Sequence, residues 1–95
     1  MKKLISQKIE AFNQMNASNE VELLNLAKEI HELITSSFNN RKMLSKEERY
    51  LDSFFDEVIH TYVEEIIVFR YIIERRNEKI NFVKLSQMKI KHFFD

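Results

Sequence analysis

The sequence predicts an all-α protein, a small bundle of three or four helices, and three observations carry that prediction. Neither Gly nor Pro occurs in the 95 residues. Apolar residues recur at helical spacing through most of the chain. Asn, the next-best residue after Gly for a left-handed helix end, falls between the helical stretches at Asn16, at Asn39 with Asn40, and at Asn77 with Asn81. A β-sandwich or an α/β domain is punctuated by Gly and Pro, because its turns need special backbone angles, whereas a helical protein only loses its usual breakers. Ile, Leu, Val and Phe make up 32 of the 95 residues, enough apolar surface for one folded domain. A domain of this size buries only about 60–65% of the surface its unfolded chain exposes, so added burial against a second copy or a partner would matter to it.

The first helix is expected over 3–15, with Ile5, Ile9 and Phe12 on one face and Leu4, Ala11 and Met15 beside it. The second is expected over 19–38, where Asn19 and Glu22 are spaced as a capping box and Leu23, Leu26, Ala27, Ile30, Leu33 and Ile34 form one stripe. The third starts after Ser45, an N-cap with Glu48 three residues on and Glu47 also suiting the positive helix end. Nothing stops it before Asn77. One helix over 46–76, about 46 Å long, is therefore predicted, and the bundle is organised on it. A fourth helix over 82–94 would gather Phe82, Val83, Ile90, Phe93 and Phe94 on one face with Lys84 and Lys91 opposite, although QMKIKHF also alternates as a strand does. No repeat or linker divides the chain, so residues 1–95 read as a single helical domain.

The long helix changes character along its length. Leu51, Phe55, Val58, Tyr62, Ile66, Phe69 and Ile73 form a core stripe, and Asp52, Asp56, Glu57, His60 and Glu64 give its first half a polar face. In the second half that face disappears: Ile67, Val68, Tyr71 and Ile72 point away from the stripe, and Arg70 is the one charged residue from Ile66 to Ile73. A helix that is apolar all round is buried all round. Either the other helices of the same chain cover it, or it packs against a second copy or another protein. The sequence-based expectation is the latter, a homodimer or tight hetero-complex with Val68, Phe69, Tyr71 and Ile72 at the interface.

Composition narrows the chemistry. Phosphate-cradling loops and nucleophile elbows need Gly for close backbone approach, so most loop-borne catalytic machinery is set aside. The chain has no Cys, hence no disulfide, thiolate metal site or Cys nucleophile, which fits a cytoplasmic protein. The start, MKKLISQKIEAF, lacks the apolar core of a signal peptide, and no apolar run is long enough to span a membrane. Glu57, His60 and Glu64 have the i, i+3, i+7 spacing of a metal-carboxylate bundle, but no second Glu-x-x-His accompanies them and they lie on the polar side of the helix. His31 reads as a boundary residue of the second helix, and His92 lies in a basic tail. No metal, cofactor or catalytic set is expected. The richness in Ile, Lys, Asn, Glu and Phe is associated with AT-rich bacterial or phage genomes.

Net charge is zero but unevenly placed, with seven acidic residues and one Arg from Glu47 to Glu65 and seven basic residues with two Glu from Arg70 to Lys91. The basic stretch, with Arg75, Arg76, Lys84 and Lys91 to the fore, could contact nucleic acid or an acidic partner surface, although basic residues also crowd helix C-termini to complement the macrodipole. Two functions survive. The leading expectation is a non-enzymatic protein that binds another protein, as a regulator, inhibitor, antitoxin or immunity-type factor. The alternative is a nucleic-acid-binding transcriptional regulator that uses residues 70–91.

Overall fold

The computed structural model describes residues 2–37 and 46–81, which form helices joined by short turns, with no strand among them. In chain order they form α1 (Lys2–Gln14), α2 (Glu20–Ser37), α3 (Lys46–Glu64), α4 (Ile66–Glu74) and α5 (Arg76–Asn81). The expected N-cap Ser45, the expected ends at Asn39 and Asn40, and the fourth helix expected over 82–94 all lie outside the described residues.

The apolar spacing explains the packing of the first three helices. α1 buries Ile5, Ile9 and Phe12, and α2 buries Leu23, Ala27, Ile30 and Ile34, each set recurring every three or four residues and so lying on one side of its helix. Between these helices Asn16 makes the turn: its Oδ1 accepts hydrogen bonds from the Ser18 amide at 2.8 Å and the Ser18 hydroxyl at 2.7 Å. A side-chain bond of this kind closes an Asx turn and satisfies backbone that has left the helix. α3 adds Leu51, Phe54, Phe55 and Val58 to the same core. Phe12 and Phe55 meet edge to face at 5.2 Å, and Phe54 meets Phe55 at 5.0 Å, an arrangement worth about 0.5–1.5 kcal/mol per pair beyond the area buried. The rims are tied by half-exposed polar contacts, the ion pair of Lys8 with Glu29 at 3.0 Å and the approach of His31 Nε2 to Asp52 at 3.3 Å, which contribute little each.

The single helix expected over 46–76 is divided. Glu65 adopts φ −145° and ψ 81°, outside the helical region, and separates α3 from α4, and a second, slighter break at Arg75 separates α4 from α5. The break shortens the molecule. A straight helix of 31 residues would run about 46 Å, whereas with the break the longest dimension is 34 Å. By turning at Glu65 the chain brings α4 back against α3, where the Tyr62 and Phe69 rings meet edge to face at 4.9 Å. Phe69, Ile72, Ile73 and Ile80 then enter the core. Asn77 lies inside α5 and ends nothing, so it corrects the expectation of a helix boundary there.

Candidate functional site

α4 and α5 have two contrasting sides. The inner side is closed. Phe69 is fully buried and Ile72 is 4% exposed within the protein's own core, which corrects the expectation that their side chains meet a partner: the bend at Glu65 turns them inward. Val68 is half-buried and packs against the same core.

Arg76 also belongs to the inner side, which corrects its assignment to a basic binding surface. Only 7% exposed, it donates from Nε to the Phe12 carbonyl at 3.0 Å, from Nη1 to the Ile73 carbonyl at 2.6 Å, and from Nη2 to the carbonyls of Asn13, at 3.4 Å, and Met15. The last carbonyls of a helix have no partner within it and carry the negative end of the macrodipole. A guanidinium offers five donors in a planar fork, so one Arg can satisfy several of them at once. Arg76 is thus the C-cap of α1, delivered from the other end of the chain. Burial pushes its guanidinium below the ordinary value by desolvation, yet an Arg stays charged at neutral pH.

The outer side is open, and it is apolar where α3 gives way to α4. Val63 and Ile67 are each 78% exposed and Tyr71 is 56% exposed. Ile67 and Tyr71 stand one turn apart, on the side of α4 opposite Phe69, Ile72 and Ile73. Leu4 and Val21 are also more than a third exposed, but singly on α1 and α2. Fully burying a side chain of this size is worth about 1.5–3 kcal/mol, so a surface that left all three in water would forgo a sizeable part of a small domain's stability.

Charges frame this strip. Glu64 and Glu65 stand exposed at the bend, and Glu74 and Glu78 are exposed further along. Of the cations, Arg70 Nε donates to Glu20 Oε2 at 2.7 Å, which ties α4 to the start of α2 and raises the Arg70 pKa through that bond and charge. Arg75 lies over the Tyr71 ring at 5.0 Å and pairs with Glu78 at 3.3 Å. Glu65 and Glu74 make no ion pair among the described residues. Beside Tyr71 opens a cleft of about 420 Å³ lined by Tyr50, Tyr71, Arg75, Glu78 and Lys79, large enough to seat an aromatic side chain.

Of the residues expected at a binding surface, Tyr71 and Arg75 are therefore accessible, Phe69, Ile72 and Arg76 are internal, and Lys84 and Lys91 lie outside the described residues. Ile67 and Val63 emerge beside Tyr71, and the signal for Ile67 was its direction opposite the core stripe. Glu57, His60 and Glu64 are exposed on α3, where His60 Nε2 pairs with Glu64. His31 faces Asp52 and, at 3.8 Å, Asp56 across the α2–α3 contact. Among the described residues no group of three or more His, Asp or Glu side chains is arranged to hold a metal ion, and no helix is long and apolar enough to cross a membrane. No family profile matches the chain, and no curated protein or solved structure matches it.

Proposed function

We propose that this chain acts without catalysis, by binding another protein through the strip formed by Val63, Ile67 and Tyr71. The observation that carries the reading is that Ile67 and Tyr71, one turn apart on α4, stand open, with Val63 exposed on α3 just before the bend, while the other side of α4 is packed into the core. Contiguous exposed apolar surface rimmed by polar groups usually marks an interaction site. The acidic rim and the Tyr71–Arg75 stack supply the polar edge that gives such a site its selectivity. A regulator, inhibitor, antitoxin or immunity-type factor works through a surface of this kind, and the lack of Cys supports placing it in the cytoplasm.

The test is a comparison of tagged wild type with Ile67→Glu and Tyr71→Ser in capture from the source organism. A partner retained by wild type and lost by both variants, with helicity unchanged, supports the reading; a partner retained equally by all three ends it. A homodimer through the same strip is the self-association form of the proposal, and light scattering behind a sizing column at micromolar concentration tests it, because an 11.5 kDa species removes it. The nucleic-acid reading has less support, since Arg76 is spent on α1 and Arg75 on Glu78 and Tyr71. It requires retention on DNA that falls steeply with salt.

A further inference from the structure

We infer, resting on the reading of this surface as a binding site, that the partner presents a short amphipathic helix with Lys or Arg flanking its apolar residues, laid along the outer face of α4. At about 100° per residue, Ile67, Tyr71 and Glu74 fall within about 60° of one another, on the face of α4 opposite Phe69, Ile72 and Ile73. Ile67 and Tyr71 are the exposed large apolar residues of α4. Glu74 stands exposed one turn beyond Tyr71, and Glu64 and Glu65 stand exposed just before α4 begins. The apolar pair is closed at both ends by carboxylates.

The charge balance of this face sets the sign of the partner. Arg70 is bound to Glu20, and Arg75 to Glu78 and the Tyr71 ring. Glu64 is met by His60, whereas Glu65 and Glu74 make no ion pair among the described residues. One uncompensated carboxylate is left at each end of the apolar pair, about 13 Å apart at the helical rise. Covering them costs desolvation unless the partner brings cations. A nucleic acid or an anionic membrane brings the wrong sign to both. A second copy, meeting this face with the same face, adds two more carboxylates.

Shape sets the form of the partner. Among the described residues there is no strand, hence no sheet edge for an extended peptide to join. Side chains one turn apart on a helix form a ridge, and a ridge packs into the groove of a second helix. Apolar residues of the partner at i and i+4 take Ile67 and Tyr71, and its cations one turn outside reach Glu65 and Glu74. The available surface is on the order of a few hundred Å², short of the ~800 Å² per partner of a standard interface, so it suits a single helix better than a folded face.

Selection from a displayed library of single helices, randomised at every surface position, tests this with the full chain as bait and Ile67→Glu as counter-bait. Tyr71→Ser replaces the counter-bait if circular dichroism shows Ile67→Glu to be unfolded. Binders that lose about thirtyfold or more in affinity for the counter-bait are expected to carry Lys or Arg on both sides of an apolar i, i+4 pair. Glu65→Gln combined with Glu74→Gln is expected to weaken them about threefold to tenfold at low salt and to remove most of their salt dependence. Neutral or acidic binders that still require Ile67 and Tyr71 overturn the basic helix and leave the binding surface standing. Absence of any binder sensitive to the counter-bait overturns both. Self-association of the bait through Ile67, seen by light scattering at micromolar concentration, overturns the basic helix in favour of a second copy.

Discussion

The two sides of the segment from Val63 to Arg76 both carry large apolar residues, and these meet opposite fates. On the inner side Phe69, Ile72 and Ile73 are buried and Arg76 is bonded to four carbonyls. On the outer side Val63, Ile67 and Tyr71 are bathed in solvent a single helix width away. Hydrophobicity alone therefore does not tell core from contact surface in a short chain. What separates them is the direction imposed by the bend at Glu65.

Substitutions should divide along the same line. Phe69→Ala should have the largest effect, a loss of about 3–5 kcal/mol in urea unfolding, because it removes a buried ring and leaves a cavity. Arg76→Met should follow at about 1–3 kcal/mol for each buried carbonyl that it strands without another donor or water, with Arg76→Lys recovering only part, since an ammonium cannot span the same acceptors. On the outer side Ile67→Ser and Tyr71→Ser should change stability by no more than about 0.5 kcal/mol, while each should weaken partner capture by about 2 kcal/mol or more if it is a hot spot of the interface. The smallest effect should come from Arg70→Gln, whose exposed pairing with Glu20 should leave the melting temperature unchanged at physiological salt. If Tyr71→Ser destabilised the fold as much as Phe69→Ala, the distinction between the two sides would collapse.

The all-α architecture and most of the core were legible because both follow from local pattern. The stripes of α1, α2 and the first half of α3 bury the residues that 3.6-residue periodicity selects, among them Ile9, Phe12, Ile30, Leu51 and Val58. The bend was not legible in the same way. Gly and Pro break helices through their own backbone chemistry, but Glu65 has no such chemistry, and the break shows itself only in the tertiary packing that takes Phe69, Ile72 and Ile73 into the core. A fainter signal was present: Glu64 and Glu65 are adverse at a helix C-terminus and favourable at the N-terminus of the next helix, so an acidic pair suits a boundary. The role of Arg76 depends on a meeting of residues more than sixty positions apart, and no periodicity in a single sequence announces that. As a result, candidate contact residues separated into Tyr71 and Arg75, which remain accessible, and Phe69, Ile72 and Arg76, which do not.

The cap that Arg76 places on α1 has a consequence for the order in which the protein can be completed. The first helix to be synthesised is finished by a residue from near the end of the described chain, so the α1–α2 hairpin made alone lacks donors for the carbonyls of Phe12, Asn13 and Met15 that Arg76 provides. Those carbonyls stay with water until residue 76 has been made and α4 has folded back. The end of α1 is then sealed in the same event that completes the core, and the site at the bend comes into existence only with it.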